Sequence, residues 1–444
     1  FMDHLTEATE KRYIDLLERE LVPALGCTEP IALAYASARV REVLGILPER
    51  FAVAVCGNIL KNVKSVIVPN TNGLKGVRAA VLIGAIGGNA AKRMEVLEDV
   101  TDEQIALCAS MMQHPEICTV SLLESEAKLH FRIEAFAGNE RALVEVMHAH
   151  TNIVRIERNG RVLLQCPCEE NYDAESFDYA AGMTLESILA FAETVPLERI
   201  RPMLNRQISC NMEIAAEGLR GDYGLCVGQT LLTSRGDAPE VRARALAAAA
   251  SDARMSGCTL PVVINSGSGN QGATVSLPVI AFSQALGSSE ERLLRALALS
   301  NLVALYQKAS IGRLSAYCGA VSAACGSGAA IAYLYGQPLE VIRATVENTL
   351  ANVAGIVCDG AKPSCAAKIA SAVDAAILGF ELARAGKTVA GGEGLVADTV
   401  DETISNYGVL AHEGMWETDR TILRLMTDEE QAEAAHGEKP GGAL

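Results

Sequence analysis

Apolar residues recur at helical spacing across residues 7–21 (Tyr13, Ile14, Leu17, Leu21) and stop before Pro23, which predicts a first helix. The turn-rich segment Pro23-Ala24-Leu25-Gly26-Cys27-Thr28-Glu29-Pro30 comes next. An Ala-rich run over 31–44 then predicts a second helix, with Thr28 as its N-cap and Pro30 in its first turn. From residue 51 the texture changes. Short apolar runs at 51–55, 63–68, 119–123 and 129–136, and the pair 153–157 and 161–164 around Asn159-Gly160, predict strands. Helical runs at 77–91, 102–113 and 140–148 lie between them. Beyond residue 178 the strand signal fades, and Ala-rich helices broken by glycine loops continue to about residue 427. No fixed-period repeat interrupts this order. The pattern predicts an α+β protein with a small α+β module, residues 49–176, inserted before a larger, mainly helical catalytic domain, residues 177–429. Residues 1–48 form N-terminal helices, and 430–444 is small, polar and expected to be a flexible tail.

Length and composition sharpen this picture. A chain of 444 residues exceeds one simple core, so two domains are expected. Half of it is hydrophobic but only 4% is aromatic, so the apolar mass is Ala, Val, Leu and Ile, which suits close helix packing. Two long stretches, 259–289 and 314–339, carry almost no charge. Both are rich in Gly, Ser, Asn and Gln rather than the about 20 predominantly apolar residues of a membrane span, and they predict buried small-residue packing around a site. A net charge of −16 argues against a nucleic-acid partner, yet a few local Lys or Arg residues would suffice for a small anionic substrate. Met2-Asp3-His4-Leu5-Thr6-Glu7 puts acids where a secretory leader is basic, so none is expected. Thirteen cysteines, an odd number in a large acidic chain, predict free thiols in a reducing cytoplasm. Cys56, Cys108, Cys118, Cys210, Cys226, Cys258 and Cys325 are expected to be small buried hydrophobes.

Other cysteines carry candidate chemistry. Cys358-Asp359-Gly360-Ala361-Lys362-Pro363-Ser364-Cys365 sets two thiols on a Gly/Pro loop, with Cys318-Gly319-Ala320 upstream. Thiolates bind iron–sulfur clusters and structural zinc, although this spacing matches neither zinc-ribbon nor ferredoxin runs. Cys27, placed at a helix N-terminus, is expected to be favoured as thiolate by the dipole. The loop Asn265-Ser266-Gly267-Ser268-Gly269-Asn270-Gln271-Gly272 offers backbone approach and donors to a carboxylate or phosphate, but lacks the Lys-Ser/Thr end of a P-loop. A plain connector fits it equally. Lys61, Asn62, Asn70, Thr71 and Asn72 could reach a substrate carboxylate, or form a solvated turn. Lys362 could neutralise a cluster or substrate, and Glu29 could orient an amine or simply favour its helix terminus. Cys166-Pro167-Cys168 is read as incidental, and His148 and His150 as the end of a helix.

Taken together, Gly26-Cys27-Thr28-Glu29-Pro30, residues 266–272, Tyr317-Cys318-Gly319-Ala320 and residues 358–365 resemble the L-cysteine desulfidase family, within the iron–sulfur-dependent serine dehydratase superfamily. The resemblance spans nearly the whole chain, and the segment at 26–30 is its most specific part. It implies a [4Fe-4S] cluster held by Cys318, Cys358 and Cys365 with one iron open, although the loop between the last two is shorter than in the dehydratases. It further implies α,β-elimination of L-cysteine to sulfide, ammonia and pyruvate, in a cytoplasmic homodimer. L-serine or another β-substituted amino acid, and a non-catalytic cluster or zinc sensor, stay open as alternatives. Pyridoxal phosphate has no role in the cluster reading. Cys27 is expected to join the helical domain as a displaceable fourth thiol and α-proton base. Thr28, Glu29, Lys61, Asn62, Asn72, Ser266, Gly267, Ser268, Gly269, Asn270 and Lys362 are its expected substrate contacts.

Overall fold

The computed structural model describes residues 5–125, 127–166, 180–312 and 315–436. The chain opens with α1 (Glu7–Glu20), the three-residue β1 (Pro23–Leu25) and α2 (Thr28–Leu44). A sheet region follows: β2 (Arg50–Val55), α3 (Gly57–Val63), α4 (Gly76–Gly87), α5 (Asp102–Met112), β3 (Cys118–Leu122), β4 (His130–Ala137), β5 (Glu140–Met147), β6 (Ile153–Arg158) and β7 (Arg161–Gln165). The remainder is nearly all helix: α6 (Leu185–Thr194), α7 (Leu197–Arg220), α8 (Val227–Arg235), α9 (Pro239–Met255), β8 (Pro261–Val263), α10 (Gly269–Leu286), α11 (Glu290–Ile311), α12 (Gly319–Leu334), α13 (Leu339–Val353), α14 (Cys365–Arg384), α15 (Val400–Val409) and α16 (Trp416–His436). The protein is therefore α+β, with a sheet-containing N-terminal module ahead of a mainly helical region.

Six strands form one sheet in the order β3-β2-β4-β5-β6-β7, antiparallel except for the parallel β2–β3 pair. Asn159 and Gly160, both at positive φ, turn β6 into β7 as the Asn-Gly dipeptide predicts. A second, two-stranded pairing joins distant parts of the chain. Pro23, Ala24 and Leu25 of β1 lie antiparallel to Val263, Val262 and Pro261 of β8, which ties the N-terminal segment to the helical region. α2, buried along most of its length, packs against both α4 and the sheet. At the centre of the helical region, every residue of α12 from Ala320 to Leu334 is buried. The uncharged stretches are thus interior, and among the described residues no helix is long and apolar enough to cross a membrane.

Several expectations are corrected. Residues 140–148 form β5 rather than a helix. Ala142, Val144 and Val146 alternate inward, and that period of two between β4 and β6 overrides the helix-forming Glu, Ala and Leu. His148 therefore ends a strand, at φ 68°. Residues 63–68 form no strand, because the segment finds only the single bridge Ile67–Lys75. α3 takes its first residue, and Val66 and Val68 are buried individually. The helix expected over 77–91 stops at Gly87, before Gly88. Cys27, not Thr28, is the N-cap of α2. The tail expected from 430 is helical to His436. All twelve cysteines among the described residues are free, but Cys210 and Cys226 are only partly buried. Cys166 follows β7, while Pro167 and Cys168 lie outside the described residues.

Candidate active site

Among the described residues, four helices begin at one cavity of about 120 Å³. α2 presents Cys27 and Thr28, α10 presents Ser268 and Asn270, α12 presents Cys318 and Gly319, and α14 presents Cys365. Only α10 of these has a side-chain cap, from Ser268; the N-caps Cys27, Cys318 and Ser364 make no side-chain cap bond. First-turn N–H groups of three helices are therefore left uncapped beside the cavity, which gives it positive polarity within an acidic protein. Lys61, Arg254 and Lys308 line it as well. The volume suits a ligand of a few heavy atoms.

The loop after α13 brings in the remaining thiol. Cys358 N donates to Ala316 O and Cys318 N to Ile356 O, so the two segments run side by side and place Cys318 and Cys358 on the same wall. Gly360 then passes over α3 at φ 98°, where a Cβ would lie 2.3 Å from Lys61 O; only glycine fits there. Cys365 donates to Gly360 O at 3.6 Å and packs with Cys27, Met255 and Ala361. Burial pushes the Cys318 thiol up to about 12, with the charge of Cys358 adding to it. Burial also raises Cys365. Nearby, Asp359 binds both Lys362 and Lys368, which hold its carboxyl at about 2 against the penalty of burial.

Across the cavity, Cys27 Sγ donates to Glu29 Oε2 at 3.0 Å. Thr28 Oγ1 donates to the same oxygen at 3.1 Å and Asn62 Nδ2 to Oε1 at 3.2 Å. His150 stands 3.8 Å from Oε1, too far for a hydrogen bond but near enough for charge attraction. Although burial opposes ionisation, His150 and the thiol hold Glu29 at about 2. Cys27 goes the other way: burial first, then the charge of Glu29, push its thiol well above the usual range. The helix dipole does not make it a thiolate, contrary to expectation, because loss of water and a buried carboxylate outweigh a half-charge. Lys61 Nζ reaches Asp419 on α16 at 2.5 Å. Arg254, on α9, binds Asn270 Oδ1 at 2.5 Å and Gly26 O, clamping the two N-terminal turns together.

The cavity thus gathers Cys27, Thr28, Glu29, Lys61, Asn62, Ser268, Asn270, Cys318, Cys358 and Cys365 from the sequence expectations. Asn72, Ser266, Gly267, Gly269 and Lys362 are not among its lining residues. Asn72 is exposed, Lys362 is turned to Asp359, and Ser266 and Gly267 make the tight turn that aims Ser268. Sequence reasoning missed Arg254, Lys308 and Ser315 on the lining and His150 behind Glu29, and it gave Gln271 and Tyr317, both inside quoted motifs, no role of their own. Arg254 carried no such signal: the Ala-rich run before it also holds Asp252, and only the fold shows that both are buried.

Residues 91–424 match the family described as serine dehydratase alpha chain. The chain belongs to that family. Membership of the serine dehydratase alpha chain family makes it a lyase of dehydratase type, from a family associated with iron–sulfur-dependent dehydratases. A protein of Lachnoclostridium phytofermentans named UPF0597 protein is 53% identical over 416 residues, covering 94% of this chain and 99% of that protein. UPF0597 proteins of Treponema denticola and Desulfitobacterium hafniense are 45% and 46% identical, each over at least 94% of this chain and 96% of its own length.

The donor set fits the cofactor associated with the family. Among the described residues no three His, Cys, Asp or Glu side chains converge on the point that one metal ion would occupy. A four-iron cluster makes a different demand, since each thiolate binds its own iron and the sulfurs sit at separate corners. The charges of Cys358 and Cys365 oppose ionisation of Cys318, and that of Cys358 opposes ionisation of Cys365, which is the cost a cationic centre relieves.

Proposed function

We propose that this chain is a [4Fe-4S]-dependent lyase that converts L-cysteine and water to sulfide, ammonia and pyruvate. The observation that carries the reading is one small cavity lined by three thiols of the helical region and by a fourth, Cys27, delivered from the other end of the chain. Cys318, Cys358 and Cys365 would hold the cluster, with Cys27 as the displaceable fourth thiol. When bound, the cluster supplies an open Lewis-acidic iron that polarises the substrate and stabilises the leaving thiolate.

The protein's own groups do the rest. The uncapped N-termini of α2, α12 and α14 favour an anionic substrate. Cys27 would be a thiolate when it caps the cluster; the charge of Arg254 favours that form, and Glu29 beside it stays ionised and takes no proton. Cys27 then takes the α-proton, the Cα–H electron pair forms the Cα–Cβ double bond, and the Cβ–S bond breaks with its pair on sulfur. The enamine tautomerises, and water replaces ammonia to leave pyruvate. Thr28 and Asn62 keep Glu29 aimed at the thiol.

Preference for cysteine rests on the resemblance of the segment at 26–30 to the desulfidases. The family description favours a second reading, loss of water from L-serine. A homodimer and a cytoplasmic site belong to the same proposal, the latter supported by free thiols.

Anaerobically purified protein is expected to carry four irons per chain, to absorb broadly in the visible and bleach in air, and to form sulfide and pyruvate in equal amounts from L-cysteine. Cys27→Ser should lower kcat by at least about 100-fold, as loss of a positioned base does. A colourless protein with stoichiometric zinc, or full turnover by Cys27→Ser, would sink the proposal.

A further inference from the structure

On the cavity lining, each charged or amide group that the sequence offered to a substrate is already engaged within the protein. Lys61 is held by Asp419 and the Asn62 amide by Glu29, and the Glu29 oxygens accept from Cys27, Thr28 and Asn62. Two lining residues outside the expected substrate contacts are different. Arg254 is buried, 2% exposed, and donates to neutral acceptors only, Asn270 Oδ1 and Gly26 O. Among the described residues no carboxylate lies within 4.0 Å of it, and its Nε has no hydrogen-bond partner. Gln271, 5% exposed, likewise leaves its buried Oε1 without a partner. A buried guanidinium with no carboxylate in contact and a buried amide oxygen with no donor are each costly unless a ligand completes them.

Their placement gives the ligand a direction. Arg254 lies against Gly269 and Gln271 against Gly319, where in each case a Cβ would come within 2.5 Å of the side chain. Two glycines thus leave both polar groups uncovered on either side of the first turn of α10. Arg254 stands toward Gly26 and Cys27, and Gln271 toward Cys318.

We infer that Arg254 and Gln271 form the recognition pair for a zwitterionic α-amino acid, Arg254 taking the α-carboxylate and Gln271 Oε1 the α-ammonium. The inference rests on the lyase reading only in that the cavity receives an amino acid. It places the α-carbon beside Cys27, because the carboxylate is drawn to the wall that carries Gly26. It also makes the site indifferent to the β-substituent at these two contacts, so that choice among β-substituted amino acids falls to other lining groups.

Calorimetric titration of the anaerobic, cluster-loaded protein with three non-eliminating probes tests this: L-alanine, L-alaninamide (no carboxylate) and propionate (no ammonium). Arg254→Gln should weaken L-alanine by about 10- to 100-fold and leave L-alaninamide unchanged. Gln271→Leu should weaken L-alanine and L-alaninamide alike and leave propionate unchanged. If Arg254→Gln loses its cluster absorption, Gln271→Leu decides alone. Equal losses for L-alanine and L-alaninamide in Arg254→Gln, or for L-alanine and propionate in Gln271→Leu, would overturn the assignment. The two readings fail separately. Normal sulfide production with variant-insensitive L-alanine binding removes the recognition pair and keeps the lyase, whereas the expected pattern in an enzyme that releases no sulfide does the reverse.

Discussion

Asp252 lies one helical half-turn from Arg254, and its chemistry is set by burial rather than by a partner charge. Its carboxylate accepts from the backbone N–H of Val227 at 2.7 Å, Leu225 at 3.3 Å and Gly228 at 3.4 Å, closing the N-terminus of α8. There Cys226 takes φ 49° and supplies no side-chain cap of its own. Burial raises the Asp252 pKa from 3.8 to about 6, and the three N–H bonds hold back only part of that rise. A carboxyl whose pKa is raised on folding favours the folded state while protonated, and that contribution disappears as pH climbs through the folded value. The melting temperature of the native protein relative to Asp252→Asn should therefore fall between pH 3.8 and about 6 and then level off. A difference between the two that stays constant across this window would refute it. At this scale cysteines were legible because few roles suit a thiol on a Gly/Pro loop. Arg254 and Gln271 were not, because what marks them is the absence of a partner, and partners come from segments far along the chain.

At the scale of elements, the short α3 depends on the far end of the chain. Its Lys61 side chain is 1% exposed and meets Asp419 of α16, while Lys64 donates to Met426 O at 2.7 Å. Leu423 lies so close to Gly57 that a Cβ there would approach it to 2.6 Å. α16 thereby holds α3, and with it Asn62 and the Glu29 carboxylate, against the cavity. Removing one member of a buried ion pair leaves the other uncompensated, so Asp419→Ala should cost about 3 kcal/mol in denaturant unfolding. The double variant Lys61→Met, Asp419→Leu should recover most of that loss, since an apolar pair of similar volume needs no charge balance. A double variant no more stable than Asp419→Ala would contradict the account. The same reach explains which elements the sequence misassigned. α1 and α5 carry their own side-chain caps, whereas β5 is a strand because β4 and β6 flank it, and residues 63–68 are not because nothing does.

For the molecule as a whole, most of the buried hydrophobic residues from Tyr13 to Ala411 form one contiguous cluster through sheet and helices alike, with three small groups of three beside it. Thermal unfolding should accordingly be one cooperative transition, with the calorimetric enthalpy equal to the van't Hoff enthalpy. Two resolved transitions would show that the sheet region melts by itself. The broad architecture was legible because the loss of strand signal after residue 178 is a change of texture over hundreds of residues. The β1–β8 pairing was not, since three residues on each side carry too little pattern to announce a partner.

That pairing sets a timetable for synthesis. β8 leaves the ribosome more than 200 residues after β1, and Cys365 more than 300 residues after Cys27. At about 5–20 residues per second, Cys27 emerges and waits roughly 20–70 s for the last thiol of its cavity. Throughout that interval Cys27 lacks the complete lining that buries it in the folded protein. On the proposed reading, cluster assembly in this cavity is a task for the finished chain, and a culture short of reductant should harm newly made protein far more than protein already folded.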